Sequence, residues 1–191
     1  MHVLRKCEVD TDDFKVGDQI QVGHYTATCQ DVTQEGAIFL LDQYLDKAMT
    51  MNDENDSEGG YTASDLRNRL NSGEIMIDFN GLRDRMMPFK NGDLLRLPFY
   101  GEIFGHDEWY KTGRVEPDEC EQWPLMRNRR NHIAERKGDD DACGWLQNKS
   151  VKYTTHFFGV DYDSYSNSWP SSYLRGVRPV FIIGRKIERV E

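Results

Sequence analysis

Short apolar and β-branched runs alternate with turns over the first forty residues of the chain. The runs are Gln19–Val22, Tyr25–Val32 and Ala37–Leu41. Gly23-His24 separates the first two runs, and Gln34–Gly36 separates the last two. Apolar runs of strand length that are punctuated by glycine favour antiparallel strands joined by tight turns. The pattern therefore predicts a β-meander.

A helix is predicted over Tyr61–Asn71, where apolar residues recur four positions apart. Leu66 and Leu70 share one helical face at this spacing. Thr62 is the predicted N-cap, because its hydroxyl oxygen can accept an orphan backbone N–H, and Asp65 follows three residues later. The segment thus combines a helix start signal with one face to bury.

Three further segments lack a clear apolar period. Met51–Gly60 is acidic and ends in two glycines, which predicts a mobile loop. Ile75–Met87 mixes apolar and charged residues around a glycine, which fits either irregular structure or a second short helix. Met126–Asp141 carries a basic block followed by an acidic block, which predicts a long loop on the surface.

The remaining predicted strands lie in the second half of the chain. They are Leu94–Leu97, Val151–Val160 and Gly176–Ile183, with a short apolar segment at Cys143–Leu146. Alternation places four residues on one face of the middle strand, namely Val151, Tyr153, Thr155 and Phe157. The last strand is apolar enough to be buried on both faces, and Pro179 marks an edge, a bulge or the strand's first residues.

Arg178 is a charged residue within this otherwise apolar last strand. A buried arginine needs a partner for its guanidinium group. We therefore expect Arg178 to have a structural role, through either a salt bridge or hydrogen bonds to backbone carbonyls.

Length, charge and hydropathy exclude several classes of protein. A chain of 191 residues forms one domain, 1–191, and can bury a core without a metal ion or a disulfide. The net charge of -9 argues against a nucleic-acid partner. No apolar run approaches the roughly 18 residues of a membrane span, and Met1–Asp10 lacks the apolar stretch of a signal peptide. We expect a protein of the cytoplasm or of a virion.

Metal ligands and cofactor motifs are not apparent. The cysteines contain no Cys-x-x-Cys pair and the histidines no His-Glu-x-x-His motif, so we expect no metal site and no cofactor. We expect the thiols to be reduced, although an even number of cysteines also permits two disulfides. The four are Cys7, Cys29, Cys120 and Cys143.

A calcium site is the metal site that the acidic residues come closest to forming. Asp161 and Asp163 have the spacing of the first two ligands of a calcium loop. Tyr165 and Ser166 stand where such a loop requires another oxygen ligand and a glycine. Glu116-Pro117-Asp118 is similar to one of the two calcium-binding stretches of sugar-binding lectins, but the second stretch has no counterpart.

The strongest functional hint is Asp161–Tyr173. Binding loops favour its mixture of residues, because aromatic rings give large and stiff contact area while Ser and Asn give adaptable hydrogen bonds. The candidate ligand-binding residues are Tyr162, Asp163, Tyr165, Asn167, Trp169 and Tyr173. The alternative is an ordinary loop whose rings turn inward and cover the core.

Four stretches, taken in order, resemble a known family. They are Val16–Tyr25 (VGDQIQVGHY), Asp65–Asn71 (DLRNRLN), Gly144–Asn148 (GWLQN) and Gly176–Phe181 (GVRPVF). Together they are similar to an uncharacterised domain family of gut bacteria and phages, which has a Gly-Asp strand, a Leu-Arg helix, a Trp-Leu strand and a closing Gly-Val-Arg-Pro strand. The resemblance covers roughly Lys15 to Gly184.

The resemblance implies an α+β fold that is C-type-lectin-like, as in formylglycine-generating-enzyme-like proteins. Such a fold has small twisted antiparallel sheets, one or two helices and long irregular loops. Trp145, in the Trp-Leu strand, is then expected to be structural. In lectin-like folds of phage receptor-binding proteins, the segment before the closing strand carries the ligand face.

These observations favour a non-enzymatic domain that binds a glycan or a protein through Asp161–Tyr173. One alternative is a structural or assembly component of a phage or mobile element, acting through oligomer contacts. The other is a hydrolase or oxidase that uses Cys120, Cys143 or a carboxylate pair. Exposed rings in Asp161–Tyr173 would favour binding, and a deep pocket holding a thiol or two carboxylates would favour catalysis.

Overall fold

Two antiparallel β-sheets and a few short helices organise the chain in a computed structural model that describes residues 13–136, 138 and 143–184. The strands are β1 (Gln19–Val22), β2 (Tyr25–Val32), β3 (Ala37–Leu41), β4 (Met86–Met87), β5 (Gly144–Lys149), β6 (His156–Val160), β7 (Ser166–Pro170) and β8 (Val180–Ile183). The α-helices are α1 (Asp65–Leu70), α2 (Gly73–Met76), α3 (Tyr100–Phe104) and α4 (Glu108–Lys111). The described residues therefore form an α+β structure, as predicted.

The larger sheet has the order β1-β2-β3-β8-β4. Its first three strands are the predicted meander, with the predicted bounds. β8 pairs with β3 through Phe39 and Phe181, so the two ends of the described chain meet in one sheet. The predicted closing strand was too long, because the regular pairing starts at Val180, directly after Pro179.

The smaller sheet has the order β5-β6-β7, and one of its strands was predicted too long. β6 begins at His156, whereas alternation suggested a strand from Val151. The Ser150 hydroxyl accepts hydrogen bonds from the backbone N–H groups of Lys152 and Tyr153, which turns the chain at this point. Val151 and Tyr153 are consequently exposed instead of lying in a strand.

The predicted strand Leu94–Leu97 forms only a single bridge among the described residues. Arg96 exchanges backbone hydrogen bonds with Val180, and its neighbours make no ladder. Met126–Asp141 was predicted as a loop on the surface. Its described part includes the end of the 3-10 turn Pro124–Arg127 and the whole of the 3-10 turn Arg129–Asn131. Met126 itself is buried, so this segment contributes to the core.

The helix predicted over Tyr61–Asn71 is divided into a 3-10 turn and α1. Ser64 is the N-cap, and its hydroxyl oxygen accepts a hydrogen bond from the backbone N–H of Arg67. The prediction of Thr62 as the cap was wrong, because the preceding residues form the 3-10 turn. Leu66 and Leu70 are both fully buried, as their spacing predicted. Ile75–Met87 was left open between irregular structure and a second short helix. Only its first two residues lie in α2, and the rest includes 3-10 turns at Ile77–Phe79 and Arg83–Arg85 and the strand β4.

Two apolar clusters fill the space around the sheets. One joins the larger sheet and α1 to Trp145 and Phe157 of the smaller sheet. The other packs α3 against Leu146 and Phe158, which lie on the opposite face of the smaller sheet. The smaller sheet is thus covered on both faces, and its outer strand β7 stays at the surface with all five residues partly exposed.

The acidic segment Met51–Gly60 has no regular element, but it is anchored to the last third of the chain. The backbone N–H of Asp56 donates to the Ser171 hydroxyl oxygen, and the Ser57 hydroxyl donates to the Thr154 carbonyl. Ser57 and Asn52 are buried.

None of the described helices has the length and apolar character needed to cross a bilayer.

Candidate functional site

The segment Asp161–Tyr173 forms half of a β-hairpin instead of one continuous loop. β6 and β7 pair with Phe157 opposite Trp169 and Gly159 opposite Asn167. A turn at residues 161–165 connects the strands, and residues 171–175 lead away from β7. We call residues 161–175 the hairpin surface.

The aromatic rings of the hairpin surface divide into exposed and anchoring groups. Tyr162, Tyr165 and Tyr173 are 58%, 57% and 50% exposed. Trp169 is partly buried and packs edge-on against Trp145, with ring centroids 6.1 Å apart. The alternative in which these rings turn inward therefore applies to Trp169 but not to the three tyrosines.

The polar residues of the predicted site hold the hairpin turn in shape. Asn167 donates from Nδ2 to Oδ2 of Asp161 at 2.9 Å, and Asp163 accepts from the backbone N–H of Tyr165. Burial alone would raise the pKa of Asp161, but hydrogen bonds from Asn167, Cys143 and a backbone N–H outweigh it and lower that pKa. Asn167 and Asp163 thus form their hydrogen bonds within the hairpin.

His132 fastens the hairpin turn to the body of the protein. Its ring lies between the Met126 carbonyl, 2.7 Å from Nε2, and the Ser164 carbonyl, 3.2 Å from Nδ1. Burial lowers the pKa of His132, so the ring is neutral at pH 7 and donates to one of these carbonyls. Ser164 has φ of 70°, a backbone conformation that this anchored turn stabilises.

Two arginines that the sequence did not single out complete the hairpin surface. Arg129 donates to the Asp163 carbonyl, and its guanidinium carbon lies 3.3 Å from the centre of the Tyr165 ring. Arg175 lies over the rings of Trp169 and Tyr173, at 4.5 and 5.4 Å. Arg129 is distant in sequence from Tyr165, and Arg175 lies beyond the end of β7. No local sequence motif therefore marks either arginine.

The outer edge of β7 is unsuited to pairing with another strand. Asp161 N–H donates to the Tyr165 carbonyl, and Ser171 N–H donates to the Thr155 carbonyl. In the register of the hairpin, the odd-numbered residues of β7 are therefore the ones that exchange hydrogen bonds with β6. The N–H groups of the even-numbered β7 residues therefore point outward. Ser168 N–H is already bonded to Oδ1 of Asn167, and Pro170 has no N–H.

The three thiols in the described part of the chain lack the properties of nucleophiles. Burial, with Glu102 and Asp118 nearby, raises the pKa of Cys120 to about 12. Burial also raises the pKa values of Cys29 and Cys143 to about 11. A catalytic cysteine has a lowered pKa instead. Cys7 lies outside the described residues.

A shallow cleft of about 330 Å³ lies beside Glu116, Pro117 and Asp118. Asp118 accepts hydrogen bonds from two backbone N–H groups and from Nδ2 of Asn148, so its carboxylate is fully engaged. Glu116 lies 3.7 Å from the Lys149 ammonium group. The cleft therefore has one carboxylate that is available to a ligand, where a glycosidase needs two.

The acidic side chains of the described residues do not converge on a calcium site. Within the part of the chain that the structure describes, no three His, Cys, Asp or Glu side chains are grouped in a way that could hold a metal ion. Asp53 instead pairs with Arg69, whose side-chain hydrogen bond lowers the Asp53 pKa. Asp161 and Asp163 serve the hairpin turn, as described above.

The two residues expected to be structural are both buried. Arg178 donates from Nε to the Leu41 carbonyl at 2.5 Å and from Nη1 to the Asn131 carbonyl at 3.0 Å, one of the two arrangements expected from the sequence. Trp145 donates from its indole nitrogen to the Met49 carbonyl at 2.9 Å. Met49 in turn pairs with Arg175, so Trp145 also supports the hairpin surface.

Comparisons with known proteins add no relative. No protein-family model matches the chain, and neither a curated protein nor a solved structure matches it.

Proposed function

We propose that the protein is a non-enzymatic binding domain that recognises a carbohydrate through its hairpin surface. The observation that carries the proposal is the set of three tyrosines, at least half exposed, on a turn and strand whose backbone is held by side chains. A rigid surface loses little entropy when it binds, and tyrosine rings offer stiff contact area. Exposed rings of this kind have no role in stabilising the core.

The arrangement of the exposed rings favours a carbohydrate over a protein ligand. Tyr162 and Tyr165 stand at the turn and Tyr173 at the far end of β7, with partly exposed Ser166, Asn167 and other polar residues between them. A protein interface has a contiguous apolar centre surrounded by a polar rim. Separate rings among hydroxyl and amide groups instead suit a sugar chain, which presents apolar faces and hydroxyl groups in turn.

A C-type-lectin-like fold and membership of the gut-bacterial and phage family belong to the same proposal. Two small antiparallel sheets, short helices and long irregular segments support it, as does the position of the hairpin surface just before the closing strand. The raised pKa values of Cys29, Cys120 and Cys143 count against the alternative of a thiol-based hydrolase or oxidase. No described feature specifically favours an assembly role.

The test is a glycan-array experiment with the full chain, carried out with and without calcium. Tyr165→Ala and Tyr173→Ala should each weaken binding at least tenfold, because alanine removes the stacking area of an exposed ring. Tyr153→Ala is the matched control, since Tyr153 is also exposed but lies outside the hairpin surface. Its binding should equal that of the wild type, and calcium should have no effect.

Two results would contradict the proposal. One is the absence of binding to every glycan while the wild type binds a protein from a cell-surface extract, which would identify a protein ligand. The other is an equal loss of glycan binding in Tyr153→Ala, which would place the site elsewhere.

A further inference from the structure

We infer that the carbohydrate carries a carboxylate and that Arg175 binds this group, an inference that rests on the proposed function. Uronic and sialic acids are the chemical class of sugar that provides such a group.

The guanidinium of Arg175 is fixed in place by rings and by its own backbone. Its carbon lies 4.5 Å from the centre of the Trp169 ring and 5.4 Å from that of the Tyr173 ring. The Arg175 backbone exchanges hydrogen bonds with Met49 in both directions. Stacking on aromatic faces leaves the edge of a guanidinium, where its N–H donors lie, directed away from the rings.

The hydrogen-bonding capacity of this guanidinium is mostly unused. Its side-chain hydrogen bond runs from Nη1 to the Leu174 carbonyl at 2.8 Å. Nε is buried and has no acceptor among the described residues. Because Nε is covered by the protein, a ligand does not reach it. Nη2 forms no hydrogen bond to a described residue and is not among the buried unpaired atoms, so the Nη edge of the guanidinium is open to an acceptor from outside.

Two other partly or fully buried arginines are paired with carboxylates, whereas the buried Arg178 donates to backbone carbonyls. Arg67 bonds Asp93 at 2.6 Å, and Arg96 bonds Glu102. Arg175 forms no ion pair with any described residue, although the chain has 33 acidic and 24 basic residues. Asp161 is close enough to interact electrostatically with Arg175, but its own oxygens already accept hydrogen bonds from other groups.

A carboxylate fits this vacant edge in both shape and charge. Its two oxygens match the parallel N–H donors of a guanidinium, and a charge-assisted pair of this kind is stronger than a neutral hydrogen bond. The half-exposed Tyr173 ring beside Arg175 can contact the apolar face of the sugar that carries the carboxylate. Arg175 would thus bind the carboxylate, and Tyr173 would contact the sugar ring.

The test compares acidic sugars with their methyl esters, which differ in charge at a single group. The probes are oligosaccharides ending in glucuronate, galacturonate or sialate, printed beside their esters. The wild type should bind its preferred acid at least tenfold more tightly than the ester. Arg175→Gln should bind the acid and the ester equally, because glutamine cannot form the charge-assisted pair. A far-UV circular dichroism spectrum like that of the wild type shows that this variant is folded.

Two further variants sharpen the result. Arg175→Lys should recover only part of the preference, because an ammonium group cannot make the bidentate contact. Arg127→Gln, which removes an exposed arginine outside the hairpin surface, should bind like the wild type.

The possible failures are distinguishable. Equal binding of acid and ester by the wild type, with both lost in Tyr173→Ala, would overturn the role of Arg175 and leave the carbohydrate-binding function intact. A preference for the acid that persists in Arg175→Gln would also overturn it. Binding of no sugar, acidic or esterified, would overturn this inference together with the proposed function.

Discussion

Arg178 shows at the scale of one residue how a buried charge can be stabilised without a carboxylate. Its guanidinium donates to the carbonyls of Leu41, Asn131 and His132, which lie in two separate parts of the chain. Arg178→Ala should lower the free energy of unfolding by about 3 kcal/mol, because three acceptors lose a donor and a cavity remains. Urea denaturation followed by circular dichroism measures this loss.

Arg127→Ala is the matched control for this measurement, because Arg127 is exposed. Its effect should stay within about 0.5 kcal/mol. An equally small effect of Arg178→Ala would refute the structural role of Arg178.

Residue types alone were enough to expect some of these roles but not others. An arginine in an apolar strand signals a buried partner, and clustered tyrosines signal a surface, so Arg178 and the tyrosines could be anticipated. Arg175 and His132 could not, because their importance depends on which ring or carbonyl the fold brings beside them. For the same reason the sequence did not separate Trp169, which packs on Trp145, from the exposed tyrosines.

At the scale of the element, the start of α1 can be tested directly. Ser64→Ala should lower the free energy of unfolding by about 1 kcal/mol, because the backbone N–H of Arg67 loses its acceptor. Thr62→Ala is the matched control. Thr62 is exposed and precedes the true cap, so the change should have little effect. A larger loss of stability in Thr62→Ala than in Ser64→Ala would identify Thr62 as the N-cap, as the sequence predicted.

The strands that were predicted well are those bounded by local signals. β1, β2 and β3 are separated by short turns that include Gly23 and Gly36, which both have positive φ. Alternation failed after Ser150, because a side-chain hydrogen bond that turns the chain leaves no trace in the apolar pattern. It also failed within Asp161–Tyr173, where β7 pairs with β6 through residues too polar to look like a strand.

At the scale of the whole molecule, the strand and helix patterns and the family resemblance predicted the α+β class but not the way its strands assemble. β3 and β8 pair although they are far apart in sequence, and the register between them depends on contacts that no local pattern encodes. The position of the hairpin surface follows from the same non-local contacts. Three segments that are distant in sequence support the hairpin surface, through His132, Met49 and Trp145.

The pH dependence of stability is a property of the whole molecule, because groups in several elements share the same direction of shift. Burial raises the pKa values of Cys29 to about 11, of Cys120 and Tyr44 to about 12, and also raises that of Tyr61. A group with a raised pKa stabilises the folded state fully below its unfolded pKa. That stabilisation is lost as the pH rises towards the folded pKa.

The protein should therefore lose stability in alkali, from about pH 9, where unfolded thiols begin to ionise, upwards. Between pH 8 and pH 10.5 the free energy of unfolding should fall by at least about 2 kcal/mol in urea titrations under reducing conditions. In Cys29→Ala the free energy of unfolding should fall less over the same range, because the fully buried thiol no longer ionises on unfolding. The cavity that alanine leaves lowers stability equally at both pH values and does not affect this difference. An unchanged free energy of unfolding up to pH 10.5 would mean that these thiols reach solvent in the folded state. That would also reopen thiol chemistry as a function of this protein.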